Sequence, residues 1–249
     1  MVFGGFRRKT AYSLTITILL IGVLISTVKI EPVRASGTIY IRADGSIEPP
    51  TAPIQRSGDI YTFTDNIYDS IVVEKDDIIL DGAGYMIQGN GSGTGIRVYG
   101  DYMAAKPRIN VTIKNVIIEN FDLGIDVYYS IDIRIVRNNI KNNWNGITLI
   151  QFSNYCSIAE NNITANDYSG INLLSCSYNS IIENNIRVNG LYGIRLFESS
   201  DNVIYHNNFI DNSYQTYVYT PGYANVWDNG YPFGGNWWSW WGKNTDIDI

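Results

Sequence analysis

Residues 138–149 read NNIKNNWNGITL, and the phrase returns as NNITANDYSGINL at 161–173 and NNIRVNGLYGIRL at 184–196. Around it, Asn115, Asn138, Asn161, Asn184 and Asn207 fall 23 residues apart, with Ile117, Ile140, Ile163, Ile186 and Phe209 two places later. Ser130, Ser153, Cys176 and Ser199 form a third column, and Ile135, Ile158, Ile181 and Ile204 a fourth. A fixed period of this length marks stacked supersecondary units rather than one globular core. Flexible linkers do not keep four columns in register.

Within a unit the apolar residues recur two apart, as in Gly146-Ile147-Thr148-Leu149 and Gly193-Ile194-Arg195-Leu196. That is strand signal. A unit of 23 residues holds about three strands of 4–5 residues plus turns, and leaves little room for a helix. The spacing predicts an all-β parallel β-helix in which like side chains stack at ~4.8 Å. Eighteen Asn between Asn138 and Asn212 suit that geometry. Asn tolerates left-handed backbone at corners, and its amide can bond to an identical amide one coil away.

The chain divides into four stretches. Residues 1–35 read as an export signal: Arg7, Arg8 and Lys9, an apolar run from Ala11 to Val28, then Val33-Arg34-Ala35 as a cleavage site. An uncleaved anchor is the rival reading, and the only membrane contact the sequence suggests. Residues 36–109 read as a cap and irregular first turns, with strands at Thr38–Arg42, Ile60–Thr64, Ser70–Val73 and Ile78–Leu80. Residues 110–212 carry the regular repeats. Residues 213–249 form an aromatic tail holding five of the six Trp, which closes the open end or offers a sugar platform.

Removing residues 1–35 takes five basic and one acidic side chain from totals of 18 and 24, leaving a net charge of about −10. Nucleic-acid binding needs clustered positive charge and is set aside. Cys156 and Cys176 sit three columns apart, which favours independent packing over a disulfide. Sequons fall at Asn90, Asn110 and Asn162.

Three sets of side chains are chemically suggestive. Stacking puts Glu160 and Glu183 about 5 Å apart, near the spacing of a retaining glycosidase pair. The bland alternative is an exposed ladder in which Arg137 offsets Glu160 and His206 offsets Glu183. An outward stripe of Tyr128, Ile150, Leu174 and Phe197, edged by Asp126, Thr148, Asn172 and Arg195, suits a sugar chain or a partner protein. Trp237 and Trp238 join it as candidate ligand-binding residues. No metal centre is assigned. Asp76, Asp77 and Asp81, or Asp122 and Asp126, could meet calcium but lack a loop signature, and one His with two Cys makes a poor copper set.

The Asn-Asn-Ile and Gly-Ile-x-Leu columns, with the tail Trp227-Asp228-Asn229-Gly230 and Gly234-Gly235-Asn236-Trp237-Trp238, resemble the right-handed parallel β-helix repeats of the NosD-like family. That family is grouped with carbohydrate-binding and sugar-hydrolysis (CASH) repeats and resembles pectate-lyase-type folds. The resemblance implies a right-handed solenoid in an exported or cell-surface protein. It also implies carbohydrate binding, with glycoside hydrolase or lyase activity as one alternative. A periplasmic accessory role in copper-site assembly, working through partner proteins, is the other.

Overall fold

The computed structural model describes residues 37–219 and 224–239. The candidate signal or anchor at 1–35, and Tyr223, Trp240 and Trp241 of the aromatic tail, lie outside them. Among the described residues the fold is all-β, a parallel β-helix walled by three sheets of nine, eight and seven strands. The nine-stranded sheet carries the long strands Thr94–Tyr99, Leu123–Tyr128, Asn145–Ile150, Ser169–Leu174, Tyr192–Phe197 and Tyr214–Tyr219. Each repeat unit thus has one strand of six residues and two of three, such as Ser157–Ala159 and Asn162–Thr164, rather than three of 4–5. The corners consume the difference.

Asn takes left-handed backbone at some corners, as expected, at Asn110, Asn115, Asn120 and Asn142, with φ of 52–63°. In the inward ladder the left-handed residue is instead the one before the buried Asn: Arg137, Glu160, Glu183 and His206 have φ of 55–59°. Asn142, Ala165, Val188 and Asp211 do the same at the next corner, before Asn143, Asn166, Asn189 and Asn212. The following Asn then turns inward. Asn161 Oδ1 accepts from the backbone N–H of Asn138 (2.9 Å) and from its Nδ2 (3.0 Å). Asn184 does the same for Asn161, and Asn207 for Asn184. A second ladder runs through Asn143, Asn166, Asn189 and Asn212. At another corner Asn202 Oδ1 accepts the Asn179 backbone N–H, while Asn179 Nδ2 has no partner among the described residues. Each inward amide satisfies backbone groups that the bend would otherwise strand without water.

A left-handed conformation in a β-branched residue costs roughly 1–2 kcal/mol, and Val188 sits at φ 57°. Its side chain is half exposed and holds no packing role that Asn would lose. Val188→Asn is therefore expected to raise stability by about 1 kcal/mol in urea unfolding.

One column is displaced from its sequence register. Ile117 pairs with Asn139, and Ile118 with Ile140. Val116, not Asn115, lies over Asn138 and donates its N–H to Asn138 Oδ1 across a step of 22 residues. From Asn138 onward the step is 23. The interior is an apolar stack: Ile135, Ile158, Ile181 and Ile204 in one wall, Ile140, Ile163, Ile186 and Phe209 in another, all fully buried. Each contributes about 1.5–3 kcal/mol on burial.

The N-terminal stretch breaks the parallel rule twice: Ile47–Glu48 pairs antiparallel with Thr38–Ile41, and Ile54–Ser57 with Ile60–Phe63. These hairpins lie at the ends of two sheets and spare the solenoid a bare parallel edge. Both cysteines are free and buried.

Candidate functional site

The outer side of the nine-stranded sheet presents three parallel lanes fixed by strand register. The first runs Tyr99, Tyr128, Ile150, Leu174, Phe197 and Tyr219. Rings stack at both ends of it: Tyr99 on Tyr128 at 4.7 Å and Phe197 on Tyr219 at 5.0 Å. The second runs Arg97, Asp126, Thr148, Asn172, Arg195 and Tyr217. Arg97 Nε donates to Asp126 Oδ2 at 3.2 Å, and Arg195 Nη1 to Asn172 Oδ1 at 3.1 Å. The Arg195 guanidinium also lies 5.1 Å from the Phe197 ring, spanning the two lanes. A third lane holds Leu123, Asn145, Ser169 and Tyr192. The Tyr192 ring reaches Tyr217 at 5.2 Å, which places this lane on the same face.

Tyr128, Phe197, Arg195 and Asn172, the ligand-binding candidates of the sequence, are thus brought together on one surface. Asn145 and Ser169 join them and were missed, because the Gly after each lets the strand kink and turns them onto this face. An ideal Cβ on Gly146 would lie 2.5 Å from the Gly170 carbonyl oxygen and 3.0 Å from Ile163 Cγ2, so that position points inward. Thr94, Leu123, Asn145, Ser169 and Tyr192 precede the Gly-Ile pairs, so no column of one residue type marked them.

The middle of the face is chemically unusual. Asp126, Asn145, Thr148, Ser169 and Asn172 are buried although their strands turn them away from the apolar core. Asp126 Oδ1, Asn145 Oδ1, Thr148 Oγ1 and Ser169 Oγ have no hydrogen-bond partner among the described residues. Buried polar atoms are normally paired, so four orphans clustered in adjacent coils are unusual.

Burial pushes the Asp126 carboxyl above its ordinary 3.8, and the Arg97 guanidinium pulls the other way without cancelling it. The folded chain then holds this proton more tightly than the unfolded chain does. The carboxyl contributes most favourably below the unfolded value near 3.8, and that contribution is lost as pH rises through the folded value. Asp126→Asn is expected to be more stable than the parent at about pH 7, with the gap closing as pH falls below about 4. Urea midpoints across pH measure it.

Glu160 and Glu183 stand at the left-handed corner before Asn161 and Asn184, and both are exposed. The offsets expected for them are absent: neither Arg137–Glu160 nor His206–Glu183 is among the ion pairs of the described residues. His206 Nε2 instead meets the Phe233 carbonyl at 2.7 Å. The column repeats because the corner repeats, and nothing there supplies the burial that a general acid needs.

The calcium candidates are committed to protein donors. Asp76 Oδ1 accepts from Arg108 and the Ile109 N–H, Asp77 Oδ1 from Asn110, and Asp81 from Ala83 N–H, Asn115 and Lys114. Asp122 Oδ2 accepts from the Gly93 N–H, and Asp126 belongs to the face above. In the tail, Trp238 stacks on Phe209 at 4.5 Å, while Trp237 is 55% exposed. These two lie beyond the last repeat strands, away from the three lanes in register.

A family model described as "Periplasmic copper-binding protein (NosD)" matches residues 40–241. No curated protein and no solved structure matches the chain. The family's description implies copper, and the donors present do not fit it. Among the described residues no group of three or more His, Cys, Asp or Glu is placed to hold a metal ion. Copper favours thiolate, thioether or imidazole ligands. Here burial pushes the Cys156 and Cys176 thiols up to about 12, so neither supplies a thiolate near neutral pH. His206 is the sole histidine of the sequence. Since the matched span covers most of the chain and its coils are those of the fold described above, the chain belongs to the NosD family of right-handed β-helix repeat proteins.

Proposed function

We propose that this chain is an exported scaffold of the NosD family that serves copper-site assembly by docking a partner protein on its nine-stranded face, without a copper-ligand cluster of its own. The observation that carries the reading is the first lane, a stripe of apolar side chains from Tyr99 to Tyr219 set beside the polar second lane on one sheet face. A partner that covers the stripe buries apolar area while its polar groups meet Arg97 and Arg195 at the margin. Aromatic residues at both ends of the first lane, Tyr99 and Tyr219, are half exposed and supply the apolar anchors that interfaces favour. The family description supports the copper context and the periplasmic location.

Carbohydrate binding is the second reading, favoured by rings lying beside a hydrogen-bonding lane, a pairing that also suits a sugar chain. One experiment separates the two. The chain without residues 1–35 is immobilised and offered an apo cuproprotein from the same source, then a panel of neutral polysaccharides. Ile150→Arg places a charge in the half-buried middle of the first lane and is expected to abolish cuproprotein capture while circular dichroism stays unchanged. Capture of polysaccharide alone, lost in Ile150→Arg, would replace the first reading with the second. Capture of cuproprotein that survives Ile150→Arg would remove this face from the account.

A further inference from the structure

The sequence holds three Asn-x-Ser/Thr motifs, and the fold treats them differently. Asn162 lies in the strand Asn162–Thr164, where its Nδ2 donates to Asn139 Oδ1 at 2.9 Å and its Oδ1 accepts from Asn185 Nδ2 at 3.0 Å. Its neighbour Ile163 is fully buried. Asn110 is tied in both directions, with Nδ2 on Asp77 Oδ1 at 2.9 Å and Oδ1 accepting from Arg134 Nη1 at 3.3 Å. Neither amide nitrogen is free to react, and neither backbone can leave its coil without breaking strand pairs.

Asn90 differs on every count. It stands exposed in the loop before Thr94, flanked by Gly91 and Gly93 at φ 93° and 74°. Those conformations are open to Gly, and the Gly91 N–H bonds the Asn120 carbonyl at 2.8 Å. Ser92 Oγ donates to Asn90 Oδ1 at 2.8 Å, which fixes the carboxamide by its oxygen and leaves both Nδ2 hydrogens to solvent. The loop is anchored by the Gly93 N–H on Asp122 Oδ2 at 2.9 Å, so it presents a defined shape at the margin of the nine-stranded sheet.

We propose that Asn90 is an N-glycan acceptor in the folded protein, and that Asn110 and Asn162 are not. The donor is a saccharide carried on a lipid pyrophosphate. Asn90 Nδ2 attacks C1 of the sugar, and the N–C1 bond forms as the C1–O bond to phosphate breaks. The lipid pyrophosphate leaves with the electron pair, and Nδ2 gives up one proton. In the cell the modification rests on export, but the chemistry of the site is testable without it.

The purified folded chain is incubated with a single-subunit oligosaccharyltransferase and a lipid-pyrophosphate-linked oligosaccharide, then mapped by peptide mass. Modification is expected at Asn90 alone, lost in Ser92→Ala and retained in Ser92→Thr. The same chain unfolded in urea and diluted into the reaction is expected to take sugar at Asn110 and Asn162 as well, which shows that the enzyme accepts all three motifs as peptides. Transfer to Asn110 or Asn162 in the folded chain would overturn the inference. So would an unmodified Asn90 in a folded chain bearing an appended Asn-Gly-Thr tail that is itself modified.

Discussion

Asn161→Ala is expected to lower stability by about 4 kcal/mol, because truncation orphans several buried groups at once at roughly 1–3 kcal/mol each. Asn161 Oδ1 serves the Asn138 N–H and Nδ2, while the two hydrogens of its own Nδ2 are shared among the Ile135 carbonyl (2.8 Å), the Ala159 carbonyl (2.9 Å) and Asn184 Oδ1 (3.0 Å). No water reaches the bend to replace these bonds, as Asn161 is 2% exposed. The neighbouring Asn162 offers the control. It too bonds to Asn above and below, but on the outer side, where solvent can substitute. Asn162→Ala should cost about 1 kcal/mol or less. Urea unfolding of both variants measures the difference, and equal losses would mean that the inward ladder does not clamp the coils.

Trp238→Ala carries the next largest expected loss, about 3 kcal/mol. Its ring lies nearly flat on Phe209, the last member of the interior Ile column, with Trp227 tilted beside it at 6.0 Å. The segment is locked in place by Asn236, whose Oδ1 accepts from the Asn207 N–H and Nδ2 as the final rung of the ladder. An apolar stack needs such a lid, since each coil is stable only against its neighbours. Trp237→Ala, on the exposed side of the same two-residue strand, should change stability by no more than about 0.5 kcal/mol. Thermal denaturation of the pair tests the lid. Sugar binding lost in Trp237→Ala at unchanged stability would show that the tail also serves as a platform.

Much of the solenoid could be read before any coordinates. The strands expected at Thr38–Arg42, Ile60–Thr64, Ser70–Val73 and Ile78–Leu80 occur at Thr38–Ile41, Ile60–Phe63, Ser70–Val73 and Ile78–Asp81. They are legible because alternation and turn residues are local properties. The regular coils were legible for another reason: an Asn that must bond to its counterpart cannot drift in register. The slip at Asn115 follows from the same rule, since the position over Asn138 is a valine whose backbone alone takes the bond. A column of identical letters hid it.

Left-handed Asn corners such as Asn115 and Asn142 were legible, but those before the buried Asn were not. Arg137, Glu160, Glu183 and His206 share φ but no side-chain chemistry, because ladder bonds on both sides over-determine the bend. A column without a common residue type invites a functional reading, and here the geometry supplies a backbone one. The outward face was half legible. Strand alternation assigns Asp126, Thr148, Asn172 and Arg195 to it, while Asn145 and Ser169 reach it only through the kink at the following Gly. Burial of the orphaned atoms is a tertiary property that no spacing encodes.

A chain that serves copper-site assembly through its surface, as proposed, takes no copper itself. Equilibrium dialysis of the chain without residues 1–35 against Cu(I) in reductant, and against Cu(II), with a chromogenic competitor, tests it directly. The account expects copper to stay with the competitor at every protein concentration, and His206→Ala to change nothing. A tightly held equivalent of copper, released by His206→Ala or by Cys156→Ser with Cys176→Ser, would contradict it.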